Sequence, residues 1–530
     1  MVCAAQPLAV EAGVAMLRHG GSAVDAALAT NACLAVMEPN SCGLGGDLFA
    51  MVWDPTTREL VGFNGSGRAP LGVSIERVLP APDGTIPLRS PDSWTVPGCV
   101  DGWSALHGRF GKLRFADVLA PAIEHARAGF AVTPVIAHEW GRNVAVFGAM
   151  PGFADIFMPG GDAPRVGETF RNPALAQSLE QIAAGGREAF YTGAIAREIV
   201  RYSEAQGGAF TLEDFARHGS TWDAPISTTY RDVAVWELPP SGQGLAVLQM
   251  LNLLESFDLA AMGRDSADTW HVMIEAKKRA YADRARWYAD PAFARIPVEQ
   301  LLSKDYARIR GAGIDMKKAS RSDPAGDPLA LARRETTYLC AADSSGMMVS
   351  WIQSNYTGFG TGHVIPALGF GIQNRGALFA LDPRHANALA PGKRPFHTII
   401  PAFITRHGEP EIAFGLMGGD MQAQGHAQIV ANLVDFGLDL QQAGDAPRFH
   451  HGGSSEPTGT VMREGGEVHL EPGVPAAVRA ELRRRGHRLA ETETSTFGGY
   501  QAIRRSPGHG EYEGATEPRK DGCAIGFGGH

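Results

Sequence analysis

The stretch RRETTYLCAADSSG, residues 333–346, sets two threonines where a charged segment gives way to an apolar run. A threonine hydroxyl attacks a carbonyl only when a base lies beside it. One solution is to make the residue the first of a chain, so that its own α-amine takes the proton. Such an amine has a pKa of roughly 8, close enough to neutrality to serve as a base. The chain would then have to be cut just before the threonine. Threonine is also a good strand residue, and a strand start is the plainer reading of the same two side chains. A second candidate is GLMGGD, residues 415–420, which follows the strand-like EIAF. A Gly-Gly pair there frees two backbone N–H groups to meet a bound oxygen, as an oxyanion hole requires, and it equally makes a turn.

Other signals are weaker. CGLGGD at 42–47 lacks the Lys-Ser/Thr of a phosphate loop and reads as a tight turn where backbones approach closely. His450 and His451 are adjacent, so on a strand they point to opposite faces and make a poor metal pair. The sequence contains no G-x-S-x-G, no H-E-x-x-H and no G-x-x-x-x-G-K-[ST].

These residues must be held by elements that the pattern partly specifies. Leu8, Ala12 and Met16 mark one face of a helix over 7–19 that Gly20-Gly21 stops. Ser22 and Asp25 form a capping box for a second helix. LFAMVWD and LVGFNG flank PTTRE as a hairpin. Helical patterns recur near 115–128, 173–184, 193–206, 244–255 and 268–288. Strand-like runs recur at 337–342, 347–354, 397–404 and 411–417. With helices first and strands late, the order suits an α+β layered fold better than a βαβ alternation. Residues 317–335 mix Lys, Arg, Ser, Asp, Pro and Gly without apolar periodicity and read as a flexible linker that ends at the threonines.

The chain has 530 residues, 44% hydrophobic and 20% charged, with a net charge of −9. That is the composition of a soluble globular protein, and the absence of a basic stripe argues against nucleic acid as a partner. No apolar run approaches the roughly 18 residues of a membrane span, so no membrane partner is expected. MVCAAQPLAVEAG shows neither the basic nor the apolar region of a signal peptide. Six scattered cysteines without C-x-x-C disfavour a disulfide framework or zinc site, and a reducing, cytoplasmic location is expected.

An ordered series of segments across nearly the whole chain resembles the γ-glutamyltranspeptidase family of N-terminal nucleophile hydrolases. It comprises PLAVEAGVAMLRHGGSAVDAALATNACLAVMEPNSCGLGGD, PPSGQG (239–244), EAKKRAYADRARWYADPAF (275–293), TTYLCAADSSG, FGTG (359–362) and DAPRFHH (445–451). The resemblance implies a four-layer αββα sandwich, a proenzyme, and self-cleavage between Glu335 and Thr336. Residues 1–335 would form a large subunit and 336–530 a small one, intertwined in one domain. Thr336, favoured over Thr337 by its spacing from Asp343, would be the nucleophile of both processing and catalysis. Ser354 stands where the family has a supporting threonine, and Gly418 and Gly419 match its oxyanion glycines. No cofactor or metal is implied.

The departures lie in the amino-acid clamp. The family arginine that holds the donor's α-carboxylate falls at Ser66, with Arg68 two residues on. The acidic residue for the α-amine falls at Leu378. Arg375 takes a glutamine position, His397-Thr398 replace a serine pair, and Tyr356, next to Asn355, takes an asparagine position. Arg68, Tyr356, Arg375, His397 and Thr398 are therefore the expected substrate-binding residues, and the donor is expected to carry a carboxylate without needing a free α-amine. The resulting expectation is an autoprocessing amide hydrolase or acyltransferase for γ-glutamyl or related carboxylate-bearing amides. Oxamate-type or glutaryl-cephalosporin-type amidohydrolases are the alternatives within the family, and a non-catalytic scaffold is the alternative outside it. The expected partners are a small-molecule amide and the chain's own two subunits, with a homodimer left open.

Overall fold

The computed structural model describes residues 1–323, 337–490, 497–506 and 510–528. Among the described residues two large antiparallel sheets lie face to face. The front sheet runs in the order Cys523–Ile525, Val2–Ala4, Thr337–Ala342, Met348–Ser354, Asp47–Asp54, Glu59–Gly65, Thr221–Asp223. The back sheet runs Tyr512–Ala515, Gly499–Arg505, Glu409–Met417, Ala402–Arg406, Val233–Glu237, Ile226–Tyr230.

Strand Thr337–Ala342 shows why the apolar run at 338–342 is continuous. Side chains alternate between faces along a strand. Tyr338, Cys340 and Ala342 face the core between the sheets, with Phe49, Met348, Phe403, Ala413 and Met417. Leu339 and Ala341 face the outer helices, with Leu28, Leu34 and Trp103. Both faces are buried, so neither set is polar.

Each sheet carries a helical layer on its outer face. The front layer includes Ala23–Met37, which is buried on every side and so carries no polar stripe. It also includes Phe115–Ala128 and Pro173–Tyr191. The back layer is built from Gly244–Leu254, Ala267–Trp287 and Met421–Val434. The architecture is the expected αββα sandwich.

The capping box forms as expected, with the Asp25 N–H donating to Ser22 Oγ at 3.1 Å and the Ser22 N–H donating to Asp25 Oδ2 at 2.8 Å. The CGLGGD segment is a tight turn: a Cβ on Gly45 would strike the Gly371 carbonyl, and one on Gly46 the Ser354 carbonyl. The segregation of helices and strands along the chain is weaker than expected. Val2–Ala4, Asp47–Asp54 and Val233–Glu237 are early strands that complete sheets begun by late ones. The strand expected over 397–404 begins only at Ala402. Pro401, which has no N–H, precedes it, and the segment before it bonds elsewhere: the His397 N–H to the Ser241 carbonyl and the Ile400 N–H to Gln422 Oε1.

The start of the expected linker is tied down. The Ala319 N–H donates to the Arg485 carbonyl, Ser320 N–H to Glu275 Oε1, and Gly465 N–H to the Arg321 carbonyl. The rest of it, 324–335, lies outside the described residues. All six cysteines are free, and among the described residues no helix is long and apolar enough to cross a membrane.

Candidate active site

Thr336 and the Glu335–Thr336 bond lie outside the described residues. The site is therefore built from what surrounds the start of strand Thr337–Ala342. Thr337 is buried and pairs with Gln353. Ser354 follows, opposite Asp47 on the next strand. Ser354 Oγ accepts the Tyr356 N–H at 2.8 Å. Tyr356 itself has φ +82°, a conformation that bulky side chains rarely adopt and that clusters at functional sites.

The buried Tyr356 ring carries the Arg375 guanidinium 4.5 Å from its centroid. Stacking on an aromatic face suits a guanidinium, which is weakly hydrated for a cation. Arg375 opens a short 3-10 turn, Arg375–Leu378, and its Nη1 donates to Thr398 Oγ1 at 2.8 Å. Ser354, Tyr356, Arg375 and Thr398 thus form one chain of contacts.

His397, beside Thr398, is fully buried, and its Nε2 donates to Asp47 Oδ2 at 2.9 Å. Asp47 Oδ1 accepts from the Gly67 N–H and from Gln373 Nε2, each at 2.8 Å. Burial, and then the Arg375 charge, push the imidazole down to about 4, with Asp47 opposing them. His397 is neutral near pH 7, and because a carboxylate only accepts, its proton sits on Nε2.

Gly418 and Gly419 form an elbow between strand Glu409–Met417 and helix Met421–Val434, with φ +125° and +59°. Glycine takes such values without steric cost. A Cβ on Gly418 would also meet Gly498 Cα at 3.1 Å and Met421 Cβ at 3.2 Å. The two N–H groups precede the first helical turn, where no intrahelical carbonyl reaches them and the helix dipole is positive. The strand that leads to the elbow crosses Thr337–Ala342, with Gly415 packed under the Tyr338 ring.

Gln243, from PPSGQG, joins this elbow to the clamp. Its Nε2 donates to the Gly419 carbonyl at 2.9 Å and to the Thr398 carbonyl at 2.6 Å. The buried Arg284, from the 275–293 segment, donates to Gln243 Oε1 at 2.5 Å. It also pairs with Asp420 at 3.2 Å and Glu456 at 2.6 Å. Sequence reasoning quoted these segments as blocks but singled out none of Gln243, Arg284, Asp47 or Gln373. Asp47 alone had a local signal, as the polar residue that closes the glycine turn.

Other candidates sit apart from this chain. The Arg68 guanidinium donates to the Gly392 carbonyl at 3.1 Å and pairs with Asp290 at 3.4 Å, with its side chain 31% exposed. Leu378 is buried in the apolar core of the back layer. Asn355 bonds to the 39–41 loop through the Ser41 and Pro39 carbonyls. His450 and His451 part as expected: His450 pairs with His469 across the sheet, while His451 Nε2 donates to the Gly465 carbonyl at 2.8 Å. Among the described residues no group of three or more His, Cys, Asp or Glu could hold a metal.

The four-layer αββα sandwich is the architecture of the N-terminal nucleophile hydrolases. The pattern of the Gamma-glutamyltranspeptidase family matches residues 9–527, and the chain belongs to that family. It is 38% identical to the glutathione hydrolase-like YwrD proenzyme of Bacillus subtilis, over 99% of this chain and 98% of that one. It is 35% identical to the oxamate amidohydrolase proenzyme of Klebsiella pneumoniae, over 99% and 98%. Among solved structures, the cephalosporin acylase from Bacillus halodurans superposes with a TM-score of 0.92 at 41% identity, covering 100% of this chain and 96% of that one.

Proposed function

We propose that the protein is a self-processing N-terminal threonine amidohydrolase whose acyl donor carries a carboxylate and needs no free α-amine. Scission before Thr336 would release an amine that serves as base for the Thr336 hydroxyl. Attack on the amide carbonyl would place the developing oxyanion on the Gly418 and Gly419 N–H groups, and water or an amine would resolve the acyl-enzyme. Ser354, one strand away from Thr337 and opposite Asp47, supports the nucleophile. The large subunit would end at Glu335.

One observation carries the specificity. A buried guanidinium, Arg375, is held by the Tyr356 ring and the Thr398 hydroxyl, while position 378 is an apolar leucine in the core. A carboxylate meeting Arg375 gains a charge-assisted hydrogen bond, whereas an ammonium there loses its hydration and meets the Arg375 charge in place of an acidic partner. Asp420, the acid next to the elbow, is paired with Arg284 and is not left for an ammonium. Arg68, already paired with Asp290, is assigned a lesser part at the rim of the site.

The test compares kcat/KM for matched glutaryl and γ-glutamyl anilides. The wild type should show no preference for the α-amine. A preference of tenfold or more for the γ-glutamyl compound, which is about 1.4 kcal/mol in transition-state binding, would overturn the reading.

A further inference from the structure

Two acceptors in this site are left unused by the described residues. His397 Nδ1 and Gln373 Oε1 are buried, and neither has a hydrogen-bond partner among the described residues. Native proteins keep few such groups, and each calls for an explanation. Here both are orphaned by the same residue. Asp47 takes the Nε2 proton of His397 and an Nε2 proton of Gln373. It therefore fixes the tautomer of one side chain and the amide orientation of the other. Each is left presenting a bare acceptor, and neither can turn to donate without breaking its bond to Asp47.

The geometry points to a specificity device: we propose that the Asp47–His397 pair selects acyl donors that carry an uncharged hydrogen-bond donor, an O–H or N–H, beside the carboxylate held by Arg375 and Thr398. This deepens the reading above and rests on it. The donor must be uncharged because Arg375 is bonded to Thr398 Oγ1 at 2.8 Å, on the residue next to His397, so a cation in this part of the site meets the guanidinium. An ammonium placed at Nδ1 would face that charge. A hydroxyl or amide N–H gives the same hydrogen bond without the repulsion. Phe49, with its ring centroid 4.9 Å from that of His397, closes one side of the imidazole, so the ring plane is set as well as its tautomer.

The experiment measures binding of free diacids to the purified mature protein by titration calorimetry, so it does not depend on turnover. Glutarate, 2-hydroxyglutarate and glutamate share a chain length and differ at one substituent. The expected order is 2-hydroxyglutarate tightest, ahead of glutarate by about tenfold, the upper range for one neutral hydrogen bond, with glutamate weakest. His397→Phe keeps the ring but removes the acceptor, and should bring 2-hydroxyglutarate and glutarate within twofold of each other. His397→Gln can still donate to Asp47 and offer an oxygen, and should keep the preference, which separates loss of the acceptor from general damage. Equal binding of 2-hydroxyglutarate and glutarate by the wild type would overturn this inference alone, as would a preference that survives in His397→Phe. If neither diacid binds, the carboxylate reading falls and this inference with it.

Discussion

Gln243 Nε2 lies 2.9 Å from the carbonyl oxygen of Gly419 and donates to it. The same nitrogen gives its other hydrogen to the Thr398 carbonyl. One primary amide therefore sets both the elbow whose N–H groups are assigned to the oxyanion and the residue that positions Arg375. Replacing Gln243 with Leu keeps the volume and removes both donors. Turnover should fall by at least about tenfold, a fraction of the roughly 10² to 10³ that loss of a whole oxyanion donor costs. Measured kcat alongside a thermal melt checks this, since a lower melting temperature with unchanged kcat would reduce Gln243 to a packing role.

Maturation is the simplest readout. Thr336→Ala should leave a single full-length band on a denaturing gel where the wild type gives two. Two bands from the variant, cut at the same bond, would remove Thr336 from processing.

The elbow can be tested by itself. Gly419 has φ +59°, and a β-branched residue is strained there. Gly419→Val protein that still matures should lose about 10² to 10³ in kcat. Normal turnover would exclude these N–H groups from the mechanism.

Arg375→Met preserves a long apolar stem over Tyr356 and removes the charge. A hydrogen bond to a charged group contributes about 1.5–3 kcal/mol, so kcat/KM for a glutaryl anilide should drop by roughly 10- to 100-fold. The same substitution should cost much less for an uncharged butyryl anilide, and equal losses for both would mean that Arg375 only supports the fold.

Buried imidazoles set the acid limit. His397 and His218 are pushed down to about 4, and His426 to about 3, in each case chiefly by burial. Between the ordinary histidine value of about 6.5 and these values, the unfolded chain binds protons that the folded one refuses, so stability falls as pH is lowered through this window. Glu38 opposes this: burial raises it to about 7, so its contribution is full below the ordinary carboxylate range and is lost as pH rises through neutrality. Burial also raises Glu237, Asp283 and Asp323, but His125, His271, His363, His385, His451 and His487 are lowered alongside the three named, so the imidazoles outnumber the opposing carboxyls and urea midpoints should decline from pH 6.5 to pH 4.5. A flat profile would contradict the assignment of neutral buried histidines.

Local pattern recorded the elements better than the site. The Ser22–Asp25 box, the 47–65 hairpin and the run at 337–342 each carry their signal within a few residues. The helix Met421–Val434 had none, because it begins without a side-chain cap and holds Gly425 in its interior, where it packs on Leu416. The strands Ile226–Tyr230 and Val233–Glu237 are short and partly exposed. Asp47 shows in the sequence only as the polar end of a glycine turn, and its role does not show: its three donors, Gly67, Gln373 and His397, come from 20, 326 and 350 residues away. Only the fold brings such a set together, and no spacing rule describes it. The clamp residues were legible through family resemblance, which supplies alignment but not contacts. It named Arg68 and Arg375 alike, and the structure ties one to Asp290 and the other to Tyr356 and Thr398.

The order of strands in the front sheet has a kinetic meaning. Val2–Ala4 lies between two segments from the C-terminal part, and Met348–Ser354 is zipped to Asp47–Asp54 along seven registered pairs. On the proposed scission before Thr336, the two pieces would remain woven through one hydrogen-bonded ladder, so dilution alone should not separate them. Denaturant would, and the reverse reaction would then change its molecularity. The uncut chain refolds as a unimolecular process, whereas the cut pieces must first find each other, at a rate that scales with their concentration. On that reading the covalent link would be needed once, during assembly, and would become dispensable when the sheet has closed.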